Sequence, residues 1–237
     1  MKTIIHKAAS RGYANHGWLQ ANHSFSFANY YDIEKLQFGA LRVLNDDIIA
    51  PKMGFGTHPH DNMEIITIPI SGELKHRDSM ANEWLSVKPG EVQVMSAGTG
   101  VQHSEINGSQ EKYLSLFQIW IIPNANNVAP RYDQKRFNPE ARKNKFQTLV
   151  SSIKTDDAGL KIHQNAKISR IDLNKDITIE YNTLSKNHGV YIMNVSGSAS
   201  INTHSFETRD ALGVSETDAF SIKANENSDL LLIEVPM

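Results

Sequence analysis

Gly54-Phe-Gly-Thr-His-Pro-His-Asp-Asn-Met-Glu64 and Met95-Ser-Ala-Gly-Thr-Gly-Val-Gln-His-Ser-Glu105 are the two stretches whose reading decides the fold. Each carries a pair of metal-ligating residue types two positions apart: His58 and His60 in the first, His103 and Glu105 in the second. On an extended chain, residues i and i+2 point to the same face, so each pair converges on one side of its strand. If the two strands face each other inside a barrel, three imidazoles and one carboxylate meet. Such a set suits iron, manganese, cobalt, nickel, copper or zinc. On an octahedral ion it leaves two positions for water, oxygen or substrate. Gly54 and Gly56 precede the first pair and Gly98 and Gly100 the second, where glycine permits close approach of backbone to backbone or ligand.

Outward from these stretches the pattern is that of an all-β protein. Candidate strands are Phe38–Leu44, Met63–Ile70, Glu91–Met95, Leu114–Ile122, Lys167–Leu173, Ile177–Tyr181, Val190–Val195, Ala219–Ile222 and Leu230–Val235. They are rich in Ile, Val, Leu and aromatics, and turn signals such as Ser71-Gly72, Pro89-Gly90, Asn107-Gly108 and Ser196-Gly197 separate them. Helical signal is confined to Pro139–Lys145. Many short strands at regular spacing read as sandwiches or barrels.

The 237 residues allow one large β domain or two domains of about 110–120 residues. A polar stretch with Pro123, Pro130 and Pro139 divides the chain in two. Glu64–Gly72 and Gly189–Gly197 read as one repeated element, and Leu85–Gly90 lies near the position of Leu212–Thr217. The offsets place Thr183 and Ser185 opposite His58 and His60, and Leu230 and Leu232 opposite His103 and Glu105. These residues cannot hold a divalent ion, so the second half is expected to lack a site.

Composition sets the remaining bounds. Apolar residues make up 40% of the chain and charged residues 21%, the balance of a chain that packs a core. The net charge of −2, with no long basic run, gives no support for nucleic-acid binding. There is no cysteine, so thiolate ligands and disulfides are excluded. No segment has the apolar length of a membrane span or a signal peptide, and a cytoplasmic location is the default expectation.

The two metal stretches resemble the paired motifs of cupins: His58-x-His60-x3-Glu64 then Gly72, and Gly90 then Gly100-x2-His103-x3-Asn107. The gap from Glu64 to Gly72 is one residue longer than the usual pattern, and Ser96 stands where proline is common. The wider text, including Glu73-Leu-Lys-His-Arg-Asp-Ser79, Arg11-Gly-Tyr-Ala-Asn-His-Gly-Trp-Leu19 and Pro130-Arg-Tyr-Asp-Gln-Lys-Arg-Phe137, resembles the short bacterial members of the pirin family along nearly the whole chain.

That resemblance implies a bicupin of two tandem jelly-roll barrels: an N-terminal cupin over 1–125 with the metal site, a connector over 126–145, and a C-terminal cupin-like domain over 146–237 without one. It implies one divalent transition-metal ion per chain, with iron the expected metal, held by His58, His60, His103 and Glu105. The general cupin pattern makes Glu64 the carboxylate ligand; the pirin resemblance moves that role to Glu105, and spacing alone does not decide. It further implies quercetin 2,3-dioxygenase activity on a flavonol or related phenolic compound with O2, Glu105 accepting the substrate hydroxyl proton if it loosens from the metal. The alternative is a metal-bound transcriptional cofactor without catalysis. His76, in a family-like stretch just beyond a turn, is read as structural. Phe55, Met63, Gln118 and Trp120 are candidates for the pocket wall or ordinary core, as is the aromatic segment around His23.

Overall fold

The computed structural model describes residues 1–237, and strands dominate it: 22 of them, with two short 3-10 turns as the sole helical elements. One turn, Pro139–Arg142, falls where the helical signal lay and is capped by the Asn138 side chain, which accepts from the Glu140 N–H. No helix is long and apolar enough to cross a membrane.

The strands form two barrels of the same design. In the first, a seven-stranded sheet has the order Arg131–Arg136, Glu91–Ser96, Glu64–Ser71, Leu114–Ile121, Leu41–Ile49, Leu19–His23, Gly12–Asn15. A four-stranded sheet, Gly54–His60, Val101–Asn107, Leu74–Asp78, Leu85–Val87, closes over it. The second barrel repeats the order with Lys2–His6, Ala211–Ser215, His188–Ser196, Ser228–Pro236, Lys167–Leu173, Gln147–Ser152 and Leu160–Ile162. Its smaller sheet is Thr178–Asn182, Ala219–Ala224, Ser198–Ile201, His204–Glu207. This is the bicupin architecture.

Two strands cross the expected division. Lys2–His6 pairs with Ala211–Ser215, so the start of the chain completes the second barrel. Arg131–Arg136, within the stretch read as a connector, pairs with Glu91–Ser96 and closes the edge of the first.

The repeat detected as Glu64–Gly72 and Gly189–Gly197 occupies equivalent strands, and each ends in a glycine with positive φ, +84° at Gly72 and +93° at Gly197. The second pairing does not hold. Leu85–Val87 is equivalent to His204–Glu207, whereas Leu212 lies on the strand equivalent to Glu91–Ser96. The offsets slip for the same reason. The strand equivalent to Val101–Asn107 is Ala219–Ala224, and that equivalent to Gly54–His60 is Thr178–Asn182, ending just before Thr183. Where His103 faces His58 in the first barrel, Phe220 faces Tyr181 in the second. Loops of unequal length carried the sequence offsets onto the wrong strands.

Alternation along the strands distributes the cores. Ile66, Ile68, Val92, Val94, Phe117 and Ile119 face outward from the first barrel. They meet Tyr191, Met193, Leu231 and Ile233 from the second in a 25-residue cluster between the two large sheets. The interior of the second barrel is a continuous apolar cluster of 15 residues that includes Tyr181, Phe220, Ile222, Leu230 and Leu232. The interior of the first is different. Its apolar residues form two separate clusters, one around Leu74, Leu114 and Ile49 and one around Ile65, Met95 and Val101. The inward positions between them are polar: Asn45, Thr67, Gln93, Gln118 and Glu105.

Candidate metal centre

Strands Gly54–His60 and Val101–Asn107 run antiparallel, with His103 opposite His58 and Val101 opposite His60. The i, i+2 spacing puts His58 and His60 on one face, and the pairing puts His103 beside them. Ring centroids lie 4.4 Å apart for His58 and His103 and 4.9 Å apart for His60 and His103. Ligand nitrogens of the three imidazoles all fall within 4.8 Å of one another.

A register shift between His103 and Glu105 carries the glutamate past the imidazole pair toward Leu74–Asp78. Glu105 groups with His103 and His76 rather than directly with all three rings. Its Oε1 accepts from the Gln93 amide at 3.0 Å and its Oε2 from the Gln118 amide at 2.9 Å, while the Thr67 hydroxyl reaches Oε1 at 3.4 Å. Burial pushes this carboxyl up. The His76 ring, whose Nδ1 lies 3.9 Å away, the nearby His103 and the Gln93 amide outweigh burial and hold it at about 2. It is an ionised carboxylate in a dry barrel, wrapped by donors.

The imidazoles are left in the opposite condition. Burial lowers His60 to about 4, assisted by His58; burial likewise lowers His103 to about 4 against the pull of Glu105. Neutral rings offer lone pairs. His60 Nε2 and both ring nitrogens of His103 are buried without a hydrogen-bond partner. His58 Nδ1 lies 2.7 Å from the Gly56 carbonyl, which can only accept, so this ring carries its proton on Nδ1 and turns Nε2 free. The free lone pairs of His60 and His103 beside an ionised carboxylate fit a bound cation, because otherwise each costs the desolvation of an unpaired polar group. The residues present fit a divalent metal.

Glu64 lies elsewhere. It sits opposite Ser96, whose hydroxyl donates to its Oε2 at 2.7 Å, and burial pushes it up to about 7, opposed by Ser96 and the His163 backbone. It is absent from the groups of converging ligand atoms.

A cavity of about 520 Å³ opens onto the cluster, with Trp18, Phe27, Phe55 and Trp120 as its aromatic walls. Trp120 stands edge-on to His60 at 4.9 Å and to Phe27 at 5.3 Å. Phe55, Gln118 and Trp120 therefore line the pocket, as does Phe27; Met63 packs on an apolar cluster and Phe25 enters the core between the barrels. A second depression of similar size, bordered by Lys2, Ile4, Phe38 and Met237, brings no imidazoles or carboxylates together.

His76 has more than a structural surrounding. Fully buried opposite Glu105, it donates from Nε2 to Asp78 at 3.0 Å and stacks on Tyr132 at 4.7 Å. Burial alone lowers its pKa, and the Glu105 and Asp78 carboxylates reverse that to a net rise. Asn45, Asp47, Thr67 and Gln93 were not singled out from sequence. Their signal is a polar residue at an inward position of an otherwise apolar strand, as in Ile66-Thr-Ile68 and Val92-Gln-Val94.

The comparisons with known proteins agree with this geometry. The family model "Pirin" matches residues 5–121 and "Quercetinase C-terminal cupin domain" residues 149–235. A quercetin 2,3-dioxygenase of Escherichia coli is 45% identical over 232 residues, 98% of each chain. A pirin-like protein of Caulobacter vibrioides is 40% identical, covering 94% of this chain and 95% of its own. The crystal structure of the bacterial pirin YhhW from Escherichia coli in complex with nickel(II) superposes with a TM-score of 0.93 at 42% identity, covering 99% of each chain. With both halves matched, and full-length relatives this similar, the chain belongs to the pirin family.

Proposed function

We propose that this protein is a metal-dependent dioxygenase that opens flavonols such as quercetin with O2 and releases carbon monoxide. The observation that carries this reading is the set of three converging imidazoles, two of them with buried nitrogens that lack a partner, and an ionised carboxylate at the base of an aromatic-walled cavity large enough for a flavonol. The quercetin 2,3-dioxygenase name of the Escherichia coli relative and the nickel(II) complex of YhhW support it.

In this reading His58, His60, His103 and Glu105 hold one divalent ion, for which we assign iron. When bound, such an ion supplies a Lewis acid that lowers the pKa of a coordinated hydroxyl and, if redox-active, a path for electrons to oxygen. The chain does the rest. Trp18, Phe27, Phe55 and Trp120 sandwich a flat aromatic ligand and keep water from it. Gln93 and Gln118 fix the Glu105 carboxylate in one orientation, and His76, His103 and Gln93 keep it ionised. Glu105 takes the proton of the substrate hydroxyl only if one of these donors lets go, since a carboxylate held at about 2 is a weak base. The second barrel, filled by apolar side chains, supplies no ligands and buttresses the large sheet of the first.

The test is turnover. Protein loaded separately with iron, manganese, cobalt, nickel, copper and zinc is mixed with quercetin in air. Flavonol absorbance should fall as oxygen is consumed and carbon monoxide appears. His58→Ala and His103→Ala should abolish this and control for oxidation by free metal. Zinc is not redox-active, so an active zinc form assigns the ion a purely Lewis-acid role. A filled site without turnover in any form overturns the reading in favour of a non-catalytic metal-dependent regulator.

A further inference from the structure

Strand Leu41–Ile49 carries three consecutive polar residues, Asn45, Asp46 and Asp47, through the middle of the large sheet. Asp46 faces out and is paired by Arg11 at 3.2 Å and Arg209 at 3.4 Å. Asp47 faces the barrel interior and is paired by nothing. It is 4% exposed, its carboxyl makes no hydrogen bond within the chain, and Oδ1 is fully buried without a partner. Its neighbours across the sheet are Ala21 and Leu116, neither of which offers a donor side chain. Yet it borders the cavity, on the wall facing the four-stranded sheet that carries the imidazoles. Asn45, two residues earlier on the same face, also borders the cavity, with its Oδ1 2.9 Å from His23 Nδ1.

An unpaired carboxyl in such a place costs stability, and the mutational surplus runs to the kcal/mol scale unless a partner arrives. Burial, with the Asp46 and Glu105 carboxylates, pushes Asp47 up to about 8. Protonated or not, its carboxyl has an oxygen free to accept a hydrogen bond from a ligand in the cavity. The complementary ligand group is an uncharged donor, a phenolic hydroxyl.

We propose that Asp47 is a specificity-determining residue, its unpartnered carboxyl pairing with a hydroxyl of the aromatic substrate other than the one directed at the imidazoles, with Asn45 beside it as a second polar contact. This rests on reading the cavity as a flavonol-type site. It selects polyhydroxylated, uncharged aromatics over those bearing a single hydroxyl.

Binding is measured on zinc-loaded protein under nitrogen, where no oxygenation competes, by quenching of Trp18 and Trp120 fluorescence. The probes are quercetin and 3-hydroxyflavone, which keeps only the 3-hydroxyl. The wild type should bind quercetin at least roughly tenfold more tightly, the scale of one well-made buried hydrogen bond. Asp47→Leu should reduce quercetin affinity about tenfold while leaving 3-hydroxyflavone within about twofold, because the lost partner concerns only the extra hydroxyls. Asp47→Asn, which keeps a donor and an acceptor, should retain most of the preference. If Asp47→Leu does not fold, Asp47→Ala carries the same comparison. Equal weakening of both probes, or no change in either, overturns the proposal. Absence of turnover with every metal, while the preference for quercetin persists and depends on Asp47, sinks the oxygenase reading and leaves this one standing.

Discussion

Gly54→Ala is the sharpest perturbation of the site that replaces none of its ligands. Gly54 lies opposite Ile106, where the strand bearing His58 and His60 meets the strand bearing His103 and Glu105. A Cβ on Gly54 would run into the Glu105 carbonyl oxygen and stand 2.5 Å from Ile106 Cα, whereas ordinary contact begins near 3.4 Å. Both obstacles are backbone, so no side chain can swing aside. The two strands must part by at least about 0.9 Å, the difference between those distances, and further to clear the Glu105 carbonyl oxygen. A displacement near 1 Å is enough to cost an active site on the order of a hundredfold. We expect metal affinity to fall roughly 10–100-fold, as when the support of a ligand is lost, with a stability cost of about 1–3 kcal/mol from overpacking. Gly56→Ala is the internal control: it lies two residues along the same strand, nothing stands within 4 Å of its Cβ position, and it should bind metal as the wild type does. Affinity is read by competition with a chelator of known strength, and folding by circular dichroism. Equal metal affinity in Gly54→Ala and Gly56→Ala, with both folded, would falsify the claim that strand spacing sets the convergence of the imidazoles.

Three further outcomes are expected. Glu105→Gln should weaken metal retention on dialysis far more than Glu64→Gln, since Glu64 spends its carboxylate on Ser96; the reverse ranking makes Glu64 the ligand. Ile222→Ala, inside the second barrel, should cost about 2–5 kcal/mol in denaturant unfolding yet leave one metal ion per chain; altered stoichiometry in the folded variant contradicts the scaffold role. Asp47→Asn should stabilise the metal-free protein more at high pH than at low. The folded chain keeps a proton on Asp47 up to about 8, while the unfolded chain sheds it near 3.8, so wild-type stability declines as pH rises between those values. The slope approaches roughly 1.4 kcal/mol per pH unit at its steepest. A melting-temperature gain that does not grow from pH 5 to pH 8 refutes the assignment.

Some elements were legible in the sequence because one physical signal governs them. Val190–Val195, apolar but for Asn194 and buried throughout, lies inside the strand His188–Ser196, as expected. The strand expected at Phe38–Leu44 begins at Leu41 and continues to Ile49. Asn45, Asp46 and Asp47 looked like its end, although one is ion-paired outside and two face a polar interior. Gly12–Asn15, Leu74–Asp78 and Arg131–Arg136 are short or largely polar strands at sheet edges or in the small sheets and gave no apolar run to read. The imidazole cluster was legible because i, i+2 spacing is local geometry. The donors around Glu105 were not, because Thr67, Gln93 and Gln118 reach it from three other strands.

The placement of Lys2–His6 has a consequence for how the molecule is made. These residues leave the ribosome about 200 positions ahead of the strand they pair with, Ala211–Ser215. The Ala8 N–H waits for the Asp210 carboxylate 202 positions further on, roughly 10 to 40 s at 5–20 residues per second. Meanwhile every strand of the first barrel has emerged once Arg131–Arg136 is out. The half that carries the imidazoles thus has all its strands available during translation, while Lys2–His6 still lacks its partner. The later strands then capture that early segment, and the seam between them is the final one to close.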